Sequence, residues 1–288
     1  MGWLNAVIQG VLLGGLYALF AAGLSLMFGV MRIVNLAHGD LSVVAAFLAL
    51  AMVSGTGLPL WIVLVVTVPL FALLGYLTQR VLLQRSLAAG PLATLLVTFG
   101  LSIVLQNVLL ETFSADTRTL DGGSFTTGSW RLTDSISVGY LSAATFLLAC
   151  GALIGIQVFL SRTGLGRMLR ASSDDRETAS LMGADSRHVY GIATAIAFAT
   201  VALAGLMFAV RSSFDPAIGP SRLIFAFEAV VIGGLGSLWG TLLGGMVLGI
   251  TQSLGAQVDP ALTLLAGHLV FLAVLAFRPQ GLLTGRTA

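Results

Sequence analysis

The chain has no lysine. All fourteen of its basic residues are arginine, set against twelve acids. Charged residues fill 9% of its 288 positions, where an ordinary soluble domain has roughly 25%. Without lysine there is no GxxxxGK[ST] phosphate-binding loop. Any ATP this chain depends on is therefore hydrolysed by another protein. The single cysteine, Cys150, lies inside an apolar run and excludes an internal disulfide. The three histidines, His38, His188 and His268, fall in separate segments, so no metal site is expected. A net charge of +2 says little about nucleic acid, which is not an expected partner; the arginines read better as topology signals. The opening MGWLNAVIQG lacks a positive start and a clear cleavage site. It reads as a retained first helix, not a signal peptide.

Long apolar runs, by contrast, recur from end to end. The chain is 57% hydrophobic, with a mean hydropathy of +1.00. Runs of roughly 20 residues suffice to cross a hydrocarbon layer about 30 Å thick. A membrane barrel would instead alternate over shorter segments. The expected fold is all-α: one polytopic transmembrane helical bundle over residues 1–288, with discontinuous helices. Spans are expected at Ala6–Val30, Ile33–Val53, Leu58–Thr78, Ala93–Phe113, Val138–Leu160 and Val189–Val210. A further span begins near Leu223 and breaks at GGLGS, Gly233–Ser237. The chain resumes at Leu238–Leu254 and closes with Ala261–Phe277. Eight or nine spans result, depending on whether the glycine break is a loop or a kink.

Arginine placement orients these spans. With Arg80, Arg85, the 162–187 segment, Arg278 and Arg286 inside, nine arginines are cytoplasmic and four (Arg118, Arg131, Arg211, Arg222) are outside. With nine spans this puts the N-terminus outside and the C-terminus inside, and it places residues 114–137 in an external loop that could meet a soluble protein. The remaining polar stretch, residues 161–190, carries five arginines and four acids and faces the cytoplasm. Within it, Asp174 with Glu177 three residues on fits a helix-capping pair. Gly183 fits a left-handed helix terminus, and Ala179, Leu181 and Met182 lie between. Asp185 and Ser186 can cap the next helix. A short capped helix outside the bilayer reads as a docking element.

Other polar residues sit at membrane depth, where they are costly and usually face a cavity. Asn35, His38 and Asp40 cluster between two apolar runs; they read either as part of a discontinuous helix lining a path or as an interfacial turn. Asn35 and His38, three apart, are expected on one helix face. Glu228 reads as a pathway carboxylate or as an acid paired with Arg222 or Arg211. Gln106 and Asn107 are expected to bond between helices. Glycine is abundant, at 35 residues. Gly10 and Gly14, and Gly236, Gly240 and Gly244, fall at the four-residue spacing that lets helices approach closely. Gly233 and Gly234 open the break.

ETASLMG, with Glu177, Ala179 and Gly183, resembles the EAAxxxG loop of the membrane subunits of ABC importers. GLGRMLRASSDD (164–175), GLYALFAAGLSLMFGVMRIVNLAHGDL (15–41) and FEAVVIGGLGSLWGTLLGGMVLGI (227–250) resemble the permeases of branched-chain amino acid ABC transporters. The matches run in order from about residue 10 to 285. Thr178 replaces the first alanine of the EAA signature. The resemblance implies a permease subunit of the bacterial inner membrane with no catalysis of its own. Asp174–Gly183 becomes the cytoplasmic coupling helix. The implied partners are two ATPase subunits that carry the ATP and magnesium, a second related permease or a second copy, and an external solute-binding protein. Permeases for urea and short amides are similar, so the family allows either solute. A self-sufficient transporter or channel would leave the docking helix idle. An intramembrane serine hydrolase built on Gly23-Leu24-Ser25 would lack a second catalytic group.

Overall fold

A computed structural model describes residues 2–123, 126, 128–133, 136–183 and 185–283. Arg286, Ala184 and positions 124, 125, 127, 134 and 135 of the 114–137 loop lie outside the described residues.

Helix α1 (Gly2–Met31) and helix α9 (Ser186–Arg211) are the axis of the bundle and are buried over most of their length. Between them in sequence come α2 (His38–Thr56), α3 (Leu60–Thr78), α4 (Gln84–Ala89), α5 (Pro91–Phe113) and α6 (Tyr140–Arg162). A π turn, Gln79–Leu83, joins α3 to α4 without a break in the apolar run. Two polar helices follow α6: α7 (Gly164–Asp174) and α8 (Arg176–Leu181). After α9 come α10 (Gly219–Gly233), α11 (Leu238–Val258) and α12 (Leu262–Phe277). The strands β1 (Ser129–Thr133) and β2 (Ile136–Gly139) form an antiparallel hairpin.

Among the described residues six helices are long and apolar enough to cross a membrane, and α10 with α11 adds a pair bent by 115°. The protein is thus a multi-pass membrane protein. Its outer helices turn leucine, valine and phenylalanine outward, as at Leu70, Leu73 and Leu74 of α3 and Leu265, Leu269 and Leu272 of α12. In lipid such residues need no further burial.

The two ends of the bundle are distinguishable. At one end the hairpin leans on the start of α1: Gln9 Nε2 donates to the Ser137 carbonyl at 2.6 Å. At the other end lie α7 and α8, where Ser173 Oγ donates to the Gly29 carbonyl at 2.5 Å. Helix α11 runs antiparallel to α1 between these ends. A side chain on Gly10 would place its Cβ 2.5 Å from Ile250 Cα, and one on Gly14 would stand equally close to Met246 Cα. Gly245 and Gly249 face them in turn. Only glycine permits this backbone contact. Gly233, Gly240 and Gly244 bring α10 against α11 across the bend in the same way. Gly234 and Gly236 take positive φ values of 109° and 82° within the break itself. The amides of Leu282 and Leu283 then donate to the carbonyls of Ile232 and Gly233, tying the final described residues to this elbow.

Several helix limits differ by a few residues from the sequence expectation, and the start of the second span differs most. The second span begins at His38, not Ile33, because Asn35 turns the chain. Its Oδ1 accepts the Ala37 amide at 3.1 Å and its carbonyl accepts the His38 amide at 3.1 Å. Such local bonds compete with helix formation.

Candidate functional site

Helix α8 presents exposed apolar side chains at the α7/α8 end. Leu181 and Met182 are 86% and 85% exposed, whereas Ala179 is buried. The N-cap is Asp175, one residue later than the expected Asp174, which instead closes α7. Two helices replace the single one anticipated there. Asp175 Oδ1 accepts the amides of Glu177 and Thr178 at 2.9 and 3.1 Å, and its Oδ2 accepts the Thr178 hydroxyl at 2.5 Å. These bonds, the Thr178 hydroxyl first, hold the Asp175 carboxyl below its ordinary range. At the far end Gly183 adopts φ +89°, with open space around it. Asp185 caps α9 through the Arg187 amide at 2.9 Å. Beside α8 a cavity of about 570 Å³ is bounded by Gly164, Arg167, Ala171, Asp174, Thr178 and Met182.

A second group of polar residues lies at the entry to α2. Asn35, His38 and Asp40 are all buried. His38 Nε2 stands 2.8 Å from the Phe20 carbonyl of α1, which can only accept, so this nitrogen carries the hydrogen. The residues linking Met31 to His38 therefore fold back from the end of α1 to a level eleven residues inside it. Asn35 lies outside the helix, so it does not share a helix face with His38. Asp40 accepts from Ser102 Oγ at 2.5 Å and Gln106 Nε2 at 3.0 Å, both on α5. It also lies against the backbone of Gly219, where α10 starts. One carboxylate thus joins α2, α5 and α10. Gln106 bonds between helices as expected, whereas Asn107 donates to the Ile103 carbonyl of its own helix.

Glu228 pairs with neither arginine. Its Oε1 accepts from His268 Nδ1 of α12 at 2.5 Å, and its Oε2 is buried without a hydrogen-bond partner among the described residues. Arg222, two turns earlier, lays its guanidinium over the rings of Phe208 and Phe225, at 4.4 and 5.3 Å from their centroids. Tyr17 stands 5.2 Å from Phe225 and donates to Gln252 Oε1 at 2.5 Å. The sequence singles out neither Tyr17 nor Gln252 and treats His268 only as a histidine without neighbours, because each is a lone polar residue on a different helix. Among the described residues no three His, Cys, Asp or Glu residues come together as a metal cage would require.

A bundle of apolar helices, broken by a glycine elbow and carrying a short polar helix pair at one end, is the form of a membrane transport subunit. The chain belongs to the family described as branched-chain amino acid transport system / permease component, which matches residues 6–277. It is 30% identical to the high-affinity branched-chain amino acid transport system permease protein BraD of Pseudomonas aeruginosa, over 98% of this chain and 95% of that one. Identity to the permease protein LivH of Escherichia coli K12 is 26% over the same shares. The LivM permease protein of that strain is 26% identical over 93% of this chain and 68% of its own length. A solved structure, PsaBC from Streptococcus pneumoniae in complex with Fab, is similar with a TM-score of 0.48 and 16% identity, over 97% and 93% of the two chains.

Proposed function

We propose that this protein is the permease subunit of an ABC importer that carries branched-chain amino acids across the bacterial inner membrane. It works in a pair with a related permease, and two separate ATPase subunits and an external solute-binding protein complete the machine. Membership of the permease family carries the reading. Similarity to both a LivH and a LivM permease of one organism favours a pore of two related chains over two copies of one.

In this reading the α7/α8 end faces the cytoplasm and residues 161–190 form the coupling loop. The hairpin end and the 114–137 loop face outward. Nine crossings result, with the N-terminus outside and the C-terminus inside. Helix α11, about 31 Å long at 1.5 Å per residue, matches the hydrocarbon thickness; α10, at about 22 Å, is a tilted partial crossing. Leu181, Met182 and Glu177 enter a recess on the ATPase, and Asp174, Ala179 and Gly183 hold the helix that presents them. The chain binds no cofactor itself; ATP and magnesium reside on the ATPase subunits. Asn35, His38, Asp40 and Glu228 border the path of the solute.

The test is reconstitution. The assembled complex in liposomes is expected to take up leucine only with ATP and the solute-binding protein present. Uptake by this chain alone would indicate a self-sufficient carrier. Glu177→Arg and Gly183→Pro are expected to leave the protein inserted while abolishing leucine uptake. Normal uptake by both at equal expression would remove the coupling role. Asn35→Leu and His38→Leu are expected to impair uptake with ATPase association intact, and normal uptake by both would remove them from the path.

A further inference from the structure

Where α3 ends, the helix widens into the π turn Gln79–Leu83. The Gln79 amide is shared between the Gly75 and Tyr76 carbonyls, and the Gln84 amide reaches five residues back to the Gln79 carbonyl. Such turns are rare and occur mostly at functional sites. A wide turn can also move along its helix, which rotates the side chains it passes.

This turn is tied to the start of α9. Thr194 Oγ1 donates to Gln79 Oε1 at 2.9 Å, and both residues are fully buried. Tyr76 Oη stands 3.0 Å from His188 Nδ1, with the two rings edge to face at 5.8 Å. Arg80 Nε and Nη2 donate to the same phenol oxygen at 3.2 and 2.9 Å. A guanidinium only donates, so the phenol hydrogen is left for the histidine nitrogen. Between these bonds the two helices interlock. A Cβ on Gly75 would stand 2.6 Å from the Thr194 carbonyl oxygen, and one on Gly191 would stand 2.6 Å from Cε2 of Tyr76. Helix α9 therefore cannot slide past α3 without breaking both bonds or carrying the wide turn with it. His188 belongs to the first turn of α9, where its amide donates to the Asp185 carbonyl at 3.0 Å. That turn follows shortly after α8 ends at Leu181. We propose that Tyr76, Gln79, His188 and Thr194 are positioning residues for transport: they pass displacement of α8, through the start of α9, to the π turn, which changes register as the permease changes state.

This linkage rests on the importer reading above, and the experiment separates the two. Amide exchange over residues 79–84 is followed in the purified complex in nanodiscs, with and without a non-hydrolysable ATP analogue. Protection there is expected to change by about five-fold or more with nucleotide in the wild type, in the range of ordinary coupling between sites. The change is expected to vanish in Tyr76→Phe and Thr194→Val. In liposomes each variant is expected to lower leucine uptake about three- to ten-fold, as loss of one hydrogen bond implies, with ATP hydrolysis within about two-fold of wild type. Thr145→Val, the same substitution at a buried threonine of α6 bonded only to the Leu141 carbonyl of its own helix, is expected to behave as wild type. A π turn indifferent to nucleotide in the wild type would overturn the linkage. So would unchanged uptake in both variants, or uptake and hydrolysis falling together, which marks a merely structural bond. Absence of ATP-driven leucine uptake in the wild type would overturn the importer reading, and the exchange comparison would still decide the π turn.

Discussion

Asp40 and Asp175 are both carboxylates that accept several hydrogen bonds, yet they do different work. Asp40 joins three helices inside the bundle, so removing its oxygens leaves the Ser102 hydroxyl and Gln106 amide without a partner. Asp40→Leu is expected to lower stability by about 1–3 kcal/mol, the cost of stranded buried donors. Asp40→Asn, whose amide can still bond to both, is expected to lose less. Thermal denaturation in detergent checks the order. Asp175 is exposed and holds only its own helix end. Its folded pKa is depressed, so the cap it supplies is complete above the ordinary aspartate range. That contribution is lost as pH falls through the lowered folded value. The protection of the Glu177 and Thr178 amides, as exchange relative to the unstructured rate at the same pH, is expected to be retained near neutral pH and to fall in strongly acidic solution. In Asp175→Ala that protection is expected to be low at every pH. The sequence displayed both acids, but it could not say that Asp40 would find α5, or that the cap would fall on Asp175 instead of Asp174. Adjacent aspartates offer the same acceptor, and the choice depends on where α7 ends.

Among elements, the legible ones were those that depend on local chemistry. The apolar runs appear as helices close to their expected limits because twenty nonpolar residues in lipid have almost no alternative to a helix. The break at Gly233–Ser237 was visible from its glycines, and two of them take backbone angles that other residues avoid. Helix partners were not legible. Nothing in the spacing of Gly10 and Gly14 names Gly245 and Gly249 as the opposite face, since four-residue spacing recurs elsewhere in the chain. Gly14→Leu is expected to force α1 and α11 apart, at a cost of about 1–3 kcal/mol or more by analogy with overpacked cores. Gly151→Leu, which would meet open space, is expected to be tolerated. Comparing the melting temperatures of the two variants separates packing from a general penalty for losing glycine.

For the molecule as a whole, the two ends of the bundle are unequal in what they offer to other proteins. One presents a hairpin with Trp130 stacked edge-on to Tyr140 at 4.6 Å. The other presents two exposed apolar side chains on a capped peg. Leu181→Asp with Met182→Asp is expected to leave folding and membrane insertion unchanged, because neither side chain is buried. It is expected to reduce recovery of the ATPase subunits with the purified protein. Equal recovery from wild type and variant would show that the peg is not where they bind.

The folded-back strip before α2 bears on how the chain is made. When residues 32–56 leave the ribosome, neither Ser102 nor Gln106 exists yet, and Gly219 follows more than a hundred residues later. Asp40 must wait in or beside the bilayer until its bonding groups on α5 have been synthesised. A nascent chain halted before α5 is therefore expected to leave its second hydrophobic segment loosely held and open to extraction. One halted after Phe113 should keep that segment seated, and the last adjustment should come only when α10 arrives.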